Sequence, residues 1–149
     1  MRSAFDLSTS SSDDSETAFN LRRSDTLHGP VIFASPHSGT VYPDILRSQL
    51  SVPLADLQRT EDAFVDDLYA SAVDQGGVLI TANYARTFVD LNRDARELDP
   101  DMFENGLPRI AGMPSARVKA GLGCLPRVGA SGREIYSGQI LREEGQYRL

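Results

Sequence analysis

His37 lies in the run Val-Ile-Phe-Ala-Ser-Pro-His-Ser-Gly-Thr-Val-Tyr-Pro, residues 31–43, where a short apolar stretch passes directly into a polar loop. It is one of only two histidines in the chain. Neutral imidazole is the commonest protein ligand for zinc, and Ser35, Ser38 and Gly39 flank the ring with small groups that let a ligand or metal approach. The plainer reading is a histidine hydrogen-bonded within its loop. A carboxylate would complement the ring, and Glu61 and Asp62 stand about where the next helix should begin. Either acid could simply satisfy the positive end of that helix. Four acidic groups within residues 61–67 exceed what capping requires, although Asp66 and Asp67 also suit a solvated face. The surplus favours a ligand role for Glu61 or Asp62.

A third polar cluster follows. Arg86, Asn92 and Arg93 surround the stretch Thr-Phe-Val-Asp-Leu, residues 87–91. The planar guanidinium fork matches a carboxylate, so two arginines near a metal suggest a small acidic substrate. The alternative is an internal ion pair of Arg86 or Arg93 with Asp90. Ser35 and Ser38 are weak nucleophile candidates, because neither the spacing nor the turn type of a serine hydrolase surrounds them. Phosphate-loop, dinucleotide-binding and paired-cysteine zinc motifs are all absent from the sequence.

The elements that must position these groups read as a βαβ unit. Residues 31–34 form an apolar strand stopped by Ser35-Pro36, and ligands collect at such carboxyl ends. A short helix is expected over 43–49, with proline in its first turn. A second helix should run from Pro53 or Thr60 to Asp74 and bury Phe64, Val65, Leu68, Tyr69 and Ala72 as one stripe, ending at Gln75-Gly76-Gly77. Val78 to Ala82 reads as a strand parallel to the first, and Thr87 to Leu91 as another. From Leu98 to Gly132 the prolines at 100, 108, 114 and 126 imply a long irregular excursion over the site, and Gln139 to Gln146 the first turns of a helix. Residues 1–28, with serines and aspartates clustered over 8–15, read as a mobile polar leader with His28 uninvolved at its edge. The folded part, 29–149, should begin at the turn signal Gly29-Pro30.

Composition narrows the function classes. At 149 residues, 40% of them hydrophobic, the chain suits one globular domain. A net charge of -6 argues against a nucleic-acid surface, and no apolar run suits a membrane span or signal peptide. A single cysteine, Cys124, in a glycine-rich stretch is expected to be packed rather than reactive, and agrees with a reducing, cytoplasmic setting.

Taken in order, Ser35-Pro36-His37-Ser38-Gly39 with Tyr42-Pro43, then Glu61-Asp62-x-x-Val65-Asp66-x-Leu68-Tyr69, then Arg86-x-x-Val89-Asp90-x-Asn92-Arg93 resemble the N-formylglutamate amidohydrolase family. The resemblance extends through Gly132-Arg133-Glu134-Ile135-Tyr136. It implies an α/β fold, a three-layer α/β/α sandwich with a mixed, mainly parallel sheet, similar to zinc carboxypeptidases and aspartoacylase-like enzymes. It also implies hydrolysis of N-formyl-L-glutamate, or a similar N-acylated acidic amino acid, to the amino acid and formate, in histidine degradation. By the same resemblance His37 and Asp62, ahead of Glu61, would hold one zinc ion, and Arg86, Asn92, Arg93 and Ser38 would line the substrate site. Family members are longer, and a segment that supplies a further histidine has no counterpart here. The chain is therefore expected to be an amino-terminal part of such an enzyme, apparently truncated, its activity doubtful and its uncovered sheet faces prone to association. The alternative function is an inactive fragment or remnant.

Overall fold

The computed structural model describes residues 17–26 and 29–149; His28 and the serine-rich cluster lie outside the described residues. The fold is α/β. Three strands form one mixed sheet: β1 (Phe19–Arg23), β2 (Ile32–Ser35) and β3 (Val78–Ala82), in the order β1-β3-β2. β2 and β3 are parallel, with Ile32 opposite Val78 and Ser35 opposite Thr81. This is the expected βαβ pairing. β1 runs antiparallel to β3, from Phe19 opposite Ala82 to Arg23 opposite Val78.

β1 corrects the expectation of a leader over 1–28, because residues 19–23 are part of the sheet. Every side chain of this strand is exposed, so the backbone ladder rather than apolar burial holds it. A segment that buries no side chain carries no periodic apolar signal to read.

The crossover between β2 and β3 contains four short helices: α1 (Asp44–Arg47), α2 (Leu54–Gln58), α3 (Val65–Leu68) and α4 (Ser71–Asp74). Pro43 opens α1, as a residue with fixed φ and no amide hydrogen can. The single long helix expected up to Asp74 does not form. Phe64 takes φ 65° and ψ 6°, a left-handed conformation that breaks the run at the start of α3. Such a conformation costs an L-residue roughly 1–2 kcal/mol. Just upstream, the Asp62 amide donates to the His37 carbonyl at 3.0 Å, so the chain is drawn onto the histidine loop instead of continuing a helix. The expected buried stripe fails with it: Phe64, Leu68 and Tyr69 are all exposed. Gly76, at φ 79°, ends α4 as anticipated.

Beyond β3 the expected strand over Thr87 to Leu91 is also absent. The ladder closes with the bridge between Val41 and Tyr84, and the chain then turns, with the Phe88 amide on the Ala85 carbonyl and the Arg93 amide on the Asp90 carbonyl. A mostly irregular stretch follows, broken by a 3-10 turn at Pro100–Met102 and by α5 (Ala116–Lys119), before α6 (Arg142–Arg148). This excursion forms most of the core. Leu98, Met102, Phe103, Leu125, Ile135 and Ile140 close around Tyr42, Leu46 and Leu57. Among the described residues no helix is long and apolar enough to cross a membrane.

Candidate active site

The histidine loop is fastened before its side chain meets anything. Val41 donates to the Asn83 carbonyl and Ala85 to that of Val41, which zips residues 39–41 against the continuation of β3. Gly39 permits the approach, because a Cβ there would lie 2.1 Å from the Tyr84 carbonyl oxygen. His37, two residues past the carboxyl end of β2, is thereby buried and fixed.

Both ring nitrogens face carboxylates. Nε2 lies 2.8 Å from Asp90 Oδ1, and Nδ1 lies 3.3 Å from Asp62 Oδ2. The two acids differ in setting: the Asp90 side chain is buried, whereas that of Asp62 is 49% exposed. Burial pushes the Asp90 carboxyl up, but hydrogen bonds from His37, Arg86 and the Asn92 amide outweigh it and hold the group below the usual carboxylate range. An ionised Asp90 can only accept, so His37 Nε2 carries the hydrogen. In the neutral ring this leaves the Nδ1 lone pair turned towards Asp62.

Asp90 also organises the arginines. Its Oδ2 accepts from Arg86 Nη2 at 2.8 Å, and Arg93 Nε lies 3.9 Å away. The internal ion pair weighed from the sequence is therefore present for Arg86. Both arginines nevertheless line a cleft of about 340 Å³, together with Arg59, Thr60, Thr87 and Asp90. Thr87 Oγ1 and Arg93 Nε are buried there without hydrogen-bond partners among the described residues. Asp90 itself is placed by its amide, which donates to the Cys124 carbonyl at 2.7 Å.

The remaining candidates fall elsewhere. Glu61 accepts a hydrogen bond from the Tyr42 hydroxyl, which burial and then this carboxylate push upward in pKa. Asp62 is thus the acid that meets the ring, and Glu61 has a different partner. Asn92 donates its backbone amide to Asp90 Oδ1 at 3.0 Å, and the residue is exposed. Ser38 donates to the Ser35 carbonyl and lines a separate cleft with Gly39, Asp66 and Asn83. Cys124 is buried, its thiol pushed up to about 11 by burial and the acids around it, so it is packed and unreactive. Sequence reasoning missed Asp90 as the group that joins histidine to arginine. The four-residue spacing of Arg86 and Asp90 was its only local trace, and it suggested no more than a pair.

Comparison with known proteins agrees with these motifs. No curated protein matches the chain. A crystal structure of N-formylglutamate amidohydrolase from Ralstonia eutropha JMP134 superposes with a TM-score of 0.79 at 29% sequence identity, covering 88% of this chain and 46% of that one. The chain thus spans less than half the length of that neighbour. A sequence model of the family described as N-formylglutamate amidohydrolase matches residues 29–149, which include the histidine loop, both carboxylates and all three cleft arginines. The chain belongs to the N-formylglutamate amidohydrolase family.

Proposed function

We propose that this chain carries the metal-binding and substrate-binding residues of a zinc-dependent amidohydrolase. Its substrate is N-formyl-L-glutamate or a similar N-acylated acidic amino acid, cleaved to the amino acid and, for the formyl compound, formate. The observation that carries this reading is the His37 ring held between Asp90 and Asp62. With the hydrogen on Nε2, two lone-pair-bearing atoms, Nδ1 and Asp62 Oδ2, face each other at 3.3 Å. Only a positive species reconciles them, either a proton or a metal ion. Asp90 supplies the outer hydrogen bond that metal-bound histidines characteristically make. The donor chemistry therefore fits zinc through His37 Nδ1 and Asp62. It fits in part, because a catalytic zinc usually takes three protein donors and no group of three such side chains is found among the described residues.

When bound, the metal supplies Lewis acidity for the acyl carbonyl and a more acidic water. The chain's own residues do the rest. Asp90 keeps the His37 tautomer and ring orientation, while Arg86 and Arg93 draw an acidic substrate into the cleft and orient it. The three-layer, zinc carboxypeptidase-like sandwich and a cytoplasmic setting belong to the same proposal, supported by the parallel β2–β3 crossover and by the family.

The two-donor count favours a second reading, a remnant that keeps the geometry without turnover. Calorimetric zinc titration, run beside a formate-release assay on N-formylglutamate, separates them. The expected result is zinc binding weakened at least about tenfold by His37→Ala and by Asp62→Ala, with formate release abolished by chelator. Zinc binding without formate release would select the remnant. Zinc affinity indifferent to both substitutions would overturn the metal site.

A further inference from the structure

The cleft beside Asp90 holds one more charged group than the site so far uses. Arg59 follows directly on α2, its backbone set by the turn in which Thr60 donates to the Leu57 carbonyl through both its amide and its hydroxyl. Leu57 beneath it is fully buried, so the stem of Arg59 starts from a fixed point. The residue is exposed, and its side chain has no hydrogen bond or ion pair among the described residues. Arg86 differs in being tied to Asp90, and Arg93 in donating to the Asn92 carbonyl at 2.8 Å.

The charged residues lining this cleft are Arg59, Arg86, Arg93 and Asp90, three basic against one acidic. Two positive charges are left over. A singly charged ligand would neutralise only one of them, whereas a dicarboxylate matches both in number. The volume of about 340 Å³ suits a small molecule rather than a peptide. Thr87 and Arg93 line the same cleft, and Thr87 Oγ1 is buried without a hydrogen-bond partner among the described residues.

We propose that Arg59 is a specificity-determining residue that takes the second carboxylate of a dicarboxylate ligand, the first lying on Arg86 and Arg93. The inference rests on the substrate-binding role proposed above for this cleft, whose substrate is itself a dicarboxylate, and it adds the residue that meets the second carboxylate. Arg59 is freer than its neighbours because no acid among the described residues pairs with it.

Glutarate and butyrate provide the test, as a dianion and a monoanion of similar length with no bond to hydrolyse. Binding of each to the full chain is measured by NMR titration at low ionic strength, where exposed charges are least screened. The expected result is glutarate preferred by about tenfold or more. Arg59→Gln should cut that preference to about twofold and leave butyrate unchanged, while Arg59→Lys, which keeps the charge but loses the fork, should retain an intermediate preference. No preference in the unsubstituted chain, or equal losses on both ligands in Arg59→Gln, would overturn the proposal. An Arg59-dependent glutarate preference in a chain that releases no formate would support Arg59 and count against hydrolysis alone. Formate release with an undiminished glutarate preference in Arg59→Gln would count against Arg59 alone.

Discussion

Leu46, Leu125 and Ile135 are fully enclosed, while Ile32, Phe64 and Leu68 stand 64%, 69% and 75% exposed. The first group belongs to the region that closes over α1 and α2, the second to the open flank of the sheet formed by β2 and α3. The contrast runs against the usual expectation that regular elements hold the core and irregular chain decorates it. Here the long excursion after β3 provides most of the apolar burial. The sheet contributes little to the core beyond Leu79 and Ala82 and instead holds out a loop at its carboxyl end. The site sits where the two regions meet, with His37 from the open side and Asp90, Arg86 and Arg93 from the closed side. A rigid acid and a fastened histidine loop together fix a geometry that neither region could hold alone.

Two substitutions probe the contrast. Leu125→Ala should cost about 2–5 kcal/mol in urea denaturation, the range for deleting a fully enclosed leucine, whereas Leu68→Ser should stay within about 0.5 kcal/mol. Comparable losses at both positions would mean that the flank is covered in solution and the two regions do not differ. Gly39→Ala tests the seam. Its new Cβ would press on the Tyr84 backbone, so we expect about 1–3 kcal/mol of destabilisation together with weakened zinc binding, because His37 moves with its loop. Loss of stability with zinc affinity intact would show that the histidine is positioned by Asp90 alone.

The parts of the fold written in local pattern were legible in the sequence. Val78 to Ala82 was readable from its apolar run, α1 from Pro43, and the end of α4 from Gly76-Gly77. The histidine loop followed from residue types at a strand end; those types left Glu61 and Asp62 open as its partner, and the family resemblance put Asp62 first. Three features depend on distant partners and left no such trace. β1 is held by its ladder to β3, with its side chains in water. The 87–91 segment has the composition of a strand, but the Asp90 amide is claimed by the Cys124 carbonyl and the chain turns. The apolar spacing over 64–72 does give helix, in α3 and α4, but with the Asp62 amide held by the His37 carbonyl and Phe64 left-handed no single helix runs through from Thr60.

That last conflict decides what position 64 can tolerate. Phe64 contributes a backbone angle rather than a ring, since its side chain is mostly in water and its φ is 65°. Substitution there should follow the sign of φ and not hydrophobicity. Glycine and asparagine should be accepted at about the stability of the parent or up to about 1 kcal/mol better, and valine and isoleucine rejected, in a denaturation series across the four variants. An order set by apolar character would instead mean that the ring is buried against something in solution. The ordinary vocabulary of core and surface does not describe such a residue. It is a hinge-setting letter in the text of the chain, free in its chemistry and constrained only in its handedness.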